Sequence, residues 1–142
     1  MEYTIIKLTE MSPLHVGTGR DSLDFSSSEL QSDTLSAALA SMRARQGKDS
    51  DIADFLSSFV LSSAFPFWKN NYYLPKPQGR INVTVSGKEE HEYRKKLKKV
   101  QYVELSLWKN LINGETCSIS DEQIHGSFLS SAKKIPELYK SA

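Results

Sequence analysis

The sequence predicts an α+β fold, and three observations carry that prediction. An apolar, β-branched run opens the chain at Tyr3, Thr4, Ile5, Ile6 and Leu8. Two stripes at helical spacing follow between Ser32 and Phe59, and period-2 runs return at Tyr72 to Leu74 and at Ile81, Val83 and Val85. A length of 142 residues suits one domain with a core that needs no staples. Contents of 39% hydrophobic and 25% charged residues exclude a wholly disordered chain. No apolar run approaches the roughly 18 residues of a membrane span, and MEYTIIKLTEM lacks the basic start of a secretory signal. Cys117 is the single cysteine, which leaves no internal disulfide and suits a reducing compartment. The expected location is cytoplasmic.

The elements follow in order. Glu2 to Thr9 reads as a strand, with Lys7 turning one face to solvent. Glu10 to Gln31 holds no period: Pro13, Gly17, Gly19 and Ser26-Ser27-Ser28 mark a long loop. A loop of about 20 residues in a compact domain usually binds something or is disordered. Ser32 opens a helix, its hydroxyl placed to cap free N–H groups and Asp33 complementing the dipole. Leu35, Leu39 and Met42 form its apolar stripe, Ala37, Ala38 and Ala40 favour it, and Gly47 stops it after Arg43 and Arg45. A shorter helix starts after Asp49 or Ser50, with Ile52, Phe55, Leu56 and Phe59 at helical spacing. Leu35, Leu39, Ile52, Phe55, Phe59 and Leu111 are the expected core.

Leu61 to Trp68 and Tyr72 to Leu74 read as strands around the turn-prone Lys69-Asn70-Asn71. Pro66 makes the first an edge or an interrupted strand, and Pro75 and Pro77 end the second. Ile81, Val83 and Val85 alternate with Asn82 and Thr84, a charged stretch runs from Lys88 to Lys99, and Val100 to Leu105 continues as a strand. Leu107 to Ile112 is a short helix closed by Asn113-Gly114. Past Gly114 the periodicity fades, so 115–142 stays unassigned, with Thr116 to Ile119 as the one local candidate for a last strand. This order is most of a β-α-β-β-α-β ferredoxin-like (RRM-like) domain over 1–114, with a long loop after the first strand and a basic insertion.

The net charge of +1 conceals a split. Residues 1–70 carry six Lys/Arg against nine Asp/Glu, and residues 71–142 carry twelve against eight. A basic half is suited to phosphate. Its densest part is Arg94-Lys95-Lys96-Leu97-Lys98-Lys99, preceded by Glu89, Glu90 and Glu92, the order that a helix dipole favours. A solvated helix and a phosphate-neutralising groove fit this run equally well; in the second reading Tyr93 and Tyr102 flank the lysines and stack bases. His15-Val16-Gly17-Thr18-Gly19-Arg20 is a glycine-containing loop that can approach a ligand, with Arg20 to grip phosphate. It is neither a Walker loop nor a dinucleotide fingerprint. His15, His91 and His125 show no metal-ligand spacing with one another or with Cys117, so no metal or cofactor is expected.

Several short segments form an ordered pattern. Leu14-His15-Val16-Gly17 and Ser32-Asp33-Thr34-Leu35 with Ala38-Leu39 are followed by Ser62-Ser63-Ala64-Phe65-Pro66. Tyr73-Leu74-Pro75-Lys76-Pro77 and Lys95 to Tyr102 come next. In this order they resemble the N-terminal half of a CRISPR RAMP protein of the type III-A Csm effector complexes, the family of fourth subunits that cap the crRNA 5′ handle. The resemblance covers about Met1 to Gly114. It departs at Gln31, where family members often carry histidine, and in length, since the second RAMP domain of the family is absent from these 142 residues.

The resemblance implies a non-catalytic scaffold in antiviral defense, with crRNA, the large polymerase-like subunit and a backbone RAMP subunit as partners and no membrane. The RNA-binding residues expected are His15, Gly17, Thr18, Gly19 and Arg20 in the loop, Ser32 and Thr34 at the helix start, and Lys76 and Arg80. Arg94, Lys95, Lys96, Lys98 and Lys99 are expected on the phosphates. Two alternatives stand beside this reading: a metal-independent RAMP endoribonuclease with His15 as base, and a protein-interaction domain without RNA contact.

Overall fold

Both helical stripes fold as helices: α1 spans Ser32–Arg45 and α2 spans Ile52–Ser57, joined through a 3-10 turn at Asp49–Asp51. The structure, a computed structural model, describes residues 3–17, 26–27 and 29–135, and the chain divides into two units, 1–64 and 65–142. Gly47 ends α1 with φ of +69°, a left-handed turn that a side chain would strain. The start of α1 is capped differently from expectation. Gln31 is the N-cap, and Ser32 donates its backbone N–H to the Ser63 hydroxyl at 3.2 Å instead of capping with its own side chain. Arg43 forks onto the Asp51 carboxylate at 2.9 and 2.6 Å and lies 4.9 Å from the Phe55 ring centre, fastening the end of α1 to the following turn.

Two expectations fail in this unit. Leu35, Leu39, Ile52, Phe55 and Phe59 are only half-buried, and neither helix holds a buried residue. Two short helices alone roof only one seam of each stripe. Residues 3–9 form no strand among the described residues; Tyr3, Ile5, Ile6 and Leu8 are 79%, 63%, 73% and 42% exposed. Strand propensity by itself does not decide the conformation of a segment, because context overrides it. Glu2 lies outside the described residues. The long loop is pinched by an antiparallel bridge between Gly17 and Ser26, where Ser27 N–H reaches Val16 C=O at 2.8 Å.

The second unit is α+β. Its strands are β1 (Phe67–Trp68), β2 (Asn71–Pro75), β3 (Val83–Val85), β4 (Tyr102–Glu104), β5 (Cys117–Ile119), β6 (Ile124–His125) and β7 (Phe128–Leu129), with helices α3 (Glu90–Lys99) and α4 (Leu105–Ile112). A mixed five-stranded sheet has the order β1-β2-β4-β7-β6, with β4 and β7 parallel and the other pairs antiparallel. Beside it β3 and β5 form a parallel pair, Val83 opposite Cys117. The strand expected from Leu61 shrinks to the two residues after Pro66, at the sheet edge where a missing N–H costs nothing. Residues past Gly114, unassigned by periodicity, supply β5, β6 and β7.

Side-chain alternation splits the five-stranded sheet into two faces. Val103 and Leu129, both fully buried, pack with Val83, Val85, Cys117 and Ile119 of the parallel pair, Tyr93 and Val100 from α3 and its end, and Leu111 of α4. Leu111 is the one expected core residue that is buried. On the opposite face Tyr73, Phe128 and Ile135 cluster with Trp68 and Tyr102.

Candidate nucleic-acid interface

Helix α3 is built so that its cations point outward. Tyr93, Leu97 and Val100 recur at i, i+4 and i+7; Tyr93 and Val100 are buried and Leu97 half-buried against the core. Glu92 folds back to accept the Glu89 N–H at 2.8 Å, closing the N-terminal end. With that stripe fixed, Arg94, Lys95, Lys98 and Lys99 lie exposed, and none forms an ion pair with a described residue. Four unneutralised cations thus share one ten-residue helix. Its own carboxylates, Glu90 and Glu92, sit in the first turn, where the dipole favours them.

Lys96 stands apart from this set. Its ammonium sits 2.6 Å from an Asp121 carboxylate oxygen that Lys88 also reaches at 3.1 Å. Hydrogen bonds from Lys96 and then Lys88 hold the Asp121 carboxyl below the usual aspartate range. Lys76 turns its ammonium onto the Leu97 carbonyl at 3.2 Å, so it satisfies the last turn of α3. Arg80 is exposed on the connection between β2 and β3.

Of the two expected aromatic stackers, Tyr93 is buried and Tyr102 is half-buried. Tyr93 is inside, its hydroxyl donating to the Val83 carbonyl at 3.3 Å, and Tyr102 stacks on Phe128 at 5.3 Å between ring centres. Both flank lysines in sequence, but the i, i+4, i+7 spacing that buries Tyr93 is the stronger signal.

In the first unit, His15 is exposed and Gly17 belongs to the bridge that pinches the loop; Thr18, Gly19 and Arg20 lie outside the described residues. The amides at the start of α1 are already engaged: Ser32 N–H on Ser63, Thr34 N–H on the Asp33 carboxylate at 2.7 Å, and Leu35 N–H on the Gln31 carbonyl. An anion there would have to displace Asp33.

A second polar assembly escaped sequence reading. Glu104, only 6% exposed at the end of β4, accepts from the Ser130 hydroxyl at 2.8 Å, from the Ser131 N–H and hydroxyl at 2.6 Å each, and from the Ser106 hydroxyl at 3.1 Å. Ser130 in turn lies 3.0 Å from the Tyr73 hydroxyl and accepts the Ala132 N–H at 3.1 Å. Since Ser130 spends its proton on Glu104, the Tyr73 hydroxyl is the donor to it. His125 meets the Ala132 carbonyl at 3.0 Å, a second tie on the same segment. The only sequence trace of this network is an acidic residue at the close of an apolar strand.

Among the described residues no group of three or more His, Cys, Asp or Glu could hold a metal ion, and no helix is long and apolar enough to cross a membrane. Compared with family models, curated proteins and solved structures, the chain gives no match.

Proposed function

We propose that this chain is a non-catalytic RNA-binding scaffold that lays the exposed face of α3 along the phosphates of a single strand. The observation that carries this reading is the set Arg94, Lys95, Lys98 and Lys99, turned to solvent by the buried stripe beneath them and in no ion pair with a described carboxylate. Unneutralised cations on a rigid element release counterions when phosphates replace them, and that release supplies sequence-independent affinity. In its narrower form, the reading makes the chain a ferredoxin-like RAMP domain that holds the crRNA 5′ handle of a cytoplasmic type III-A CRISPR interference complex. There it bridges the guide, the large subunit and the backbone RAMP. The sequence elements from Leu14-His15-Val16-Gly17 to Lys95–Tyr102 support that form.

The protein-contacting side of this role draws on a separate observation. Tyr3, Ile5, Ile6, Leu8, Met11 and Leu14 expose much of their apolar surface along one short stretch of chain, more than scattered surface residues would.

The test is binding of a labelled 5′-handle RNA and of an unrelated single strand, by fluorescence anisotropy over a salt series. Lys95→Glu with Lys98→Glu should weaken binding to both strands. It should also flatten the slope of log affinity against log salt by roughly 0.7 for each phosphate left unneutralised. Parent-like binding by this variant overturns the α3 reading. Equal affinity of the parent for the two strands removes the narrower form and leaves the general one.

A further inference from the structure

The outward face of α3 has a histidine at its centre. Successive residues of an α-helix turn by about 100°, so with His91 as origin Lys98 lies about 20° to one side and Lys95 about 40° to the other. Arg94 and Lys99 lie about 60° and about 80° out, on opposite sides. Tyr93 and Leu97, packed on the core, fall on the far side of the helix. His91, Arg94, Lys95 and Lys98 stand at i, i+3, i+4 and i+7, which makes them neighbours on one face.

The His91 ring is exposed and makes no hydrogen bond or ion pair with a described residue. The charged groups around it leave it open to a guest. Glu90 and Glu92 adjoin it in sequence, but consecutive helical residues do not face each other, and Glu92 is turned back onto the Glu89 N–H. Lys88, three residues earlier, is held on Asp121. Beside α3, strand β3 brings Val83, Thr84 and Val85, none of them charged. The 3-10 turn at Asp121–Gln123 brings Asp121, engaged by Lys88 and Lys96, and Glu122, paired with Lys133 at 3.3 Å.

A proton on the imidazole adds a fifth charge to Arg94, Lys95, Lys98 and Lys99, and histidine is the residue type that exchanges a proton near neutrality. A phosphate laid on this face favours the protonated ring over the neutral one, so binding of the strand and uptake of the proton support each other. The contribution is complete where the ring is protonated before binding. It is lost as pH rises through the point at which the bound ring gives its proton up.

We propose that His91 is the proton-dependent phosphate contact of the α3 face, so that this chain holds a single-stranded RNA more tightly as the medium turns acidic. The inference rests on the RNA-binding reading above and adds a residue that a count of Arg and Lys leaves out.

The experiment measures binding of an oligouridine without terminal phosphates, whose own charge stays constant, by the full chain over a salt series at about pH 5.5 and about pH 8. The variants are His91→Gln, which stays neutral, and His91→Lys, which stays charged; the position is exposed, so both leave the core untouched. At the lower pH the parent should bind severalfold more tightly at low salt. Its slope of log affinity against log salt should steepen by roughly 0.7, the increment of one phosphate on a single strand. His91→Gln should keep the shallower slope at both pH values, and His91→Lys the steeper one at both. His15 and His125 remain in every variant, so a proton taken up elsewhere shows as a pH response that His91→Gln does not remove. That result, a parent without a pH response, or a shallow slope for His91→Lys overturns the His91 contact, while impaired binding by the Lys95/Lys98 reversal keeps the α3 reading. Parent-like binding by that reversal, or a parent that binds no RNA, overturns both.

Discussion

Replacing Glu104 by alanine removes the acceptor that four donors share, and the structure allows the cost to be worked out. Hydrogen bonds to an ionised group contribute about 1.5–3 kcal/mol each. Ser131 and Ser106 are exposed, so their donors can turn to water when the carboxylate goes. Ser130 is fully buried and cannot, and it also carries the chain of bonds from Tyr73 and Ala132. One stranded buried hydroxyl plus the emptied side-chain volume gives about 2–4 kcal/mol, a large part of the stability of a small domain. Glu104→Gln keeps the shape and lets the serine hydroxyls rotate to accept, so about 1 kcal/mol is expected.

Acidity separates the parent from both variants, neither of which carries a titrating group at this position. Burial by itself pushes the Glu104 carboxyl up, but the bonds from the Ser131 side chain and backbone, from Ser130 and from Ser106 together outweigh it. They hold the carboxyl below the ordinary glutamate range. A carboxylate with a depressed folded pKa contributes stability in full above its unfolded value, about 4.3, and loses it as pH falls toward the folded value. Urea unfolding of parent and variants between about pH 6 and pH 3 reads this directly. The parent curve should fall more steeply than that of Glu104→Gln. Parallel curves, or a Glu104→Ala midpoint within error of the parent at neutral pH, refute the account of this network.

Three other outcomes are expected. Leu129→Ala, in the fully buried sheet face, should cost about 3 kcal/mol, whereas half-buried Leu39→Ala should cost about 1 kcal/mol in the same denaturant titration; equal costs would contradict the burial described. Asp121→Asn releases Lys88 and Lys96 and should raise RNA affinity severalfold at low salt, steepening the salt slope by roughly 0.7 for each further phosphate neutralised; unchanged binding would show that neither lysine meets RNA. Burial, with Glu115 adding to it, pushes the Cys117 thiol up, so a disulfide reagent should label it only as fast as the chain opens. Rapid labelling of the folded protein would place Cys117 outside the core.

Sequence reasoning succeeded where the rules are local. The stop at Gly47 and the close of α4 at Asn113-Gly114 need only neighbouring residues and are observed, as is the turn expected at Lys69-Asn70-Asn71, except that Asn71 already belongs to β2. It failed where a partner decides. Glu2 to Thr9 has the propensity of a strand, yet residues 3–9 form none among the described residues, and the stripes of α1 and α2 have the spacing of core but stay half-buried. Strands β6 and β7 are two residues each, too short to show any period, and they are joined across Gly126, whose φ is +60°. The cationic face of α3 could be read from composition; the capture of Lys96 by Asp121, twenty-five residues further on, could not. The placing of Tyr73 opposite Glu104 depends on β2 pairing with β4, a register that no pattern in either segment announces.

The two parallel pairings of the second unit set an order on its folding. Val83 must wait for Cys117, and Tyr102 for Phe128, while α3 and α4 can form from their own residues as soon as they exist. Loop-closure entropy is therefore spent before these non-local pairs return any stability, which makes their docking the slow step. During synthesis, a nascent chain halted at Gly114 would hold β3 without its partner β5 and β4 paired on the β2 side alone, with Cys117, Ile119 and Leu129 missing from the core. It would be open to chaperones or to self-association until Leu129 emerged and closed the sheet.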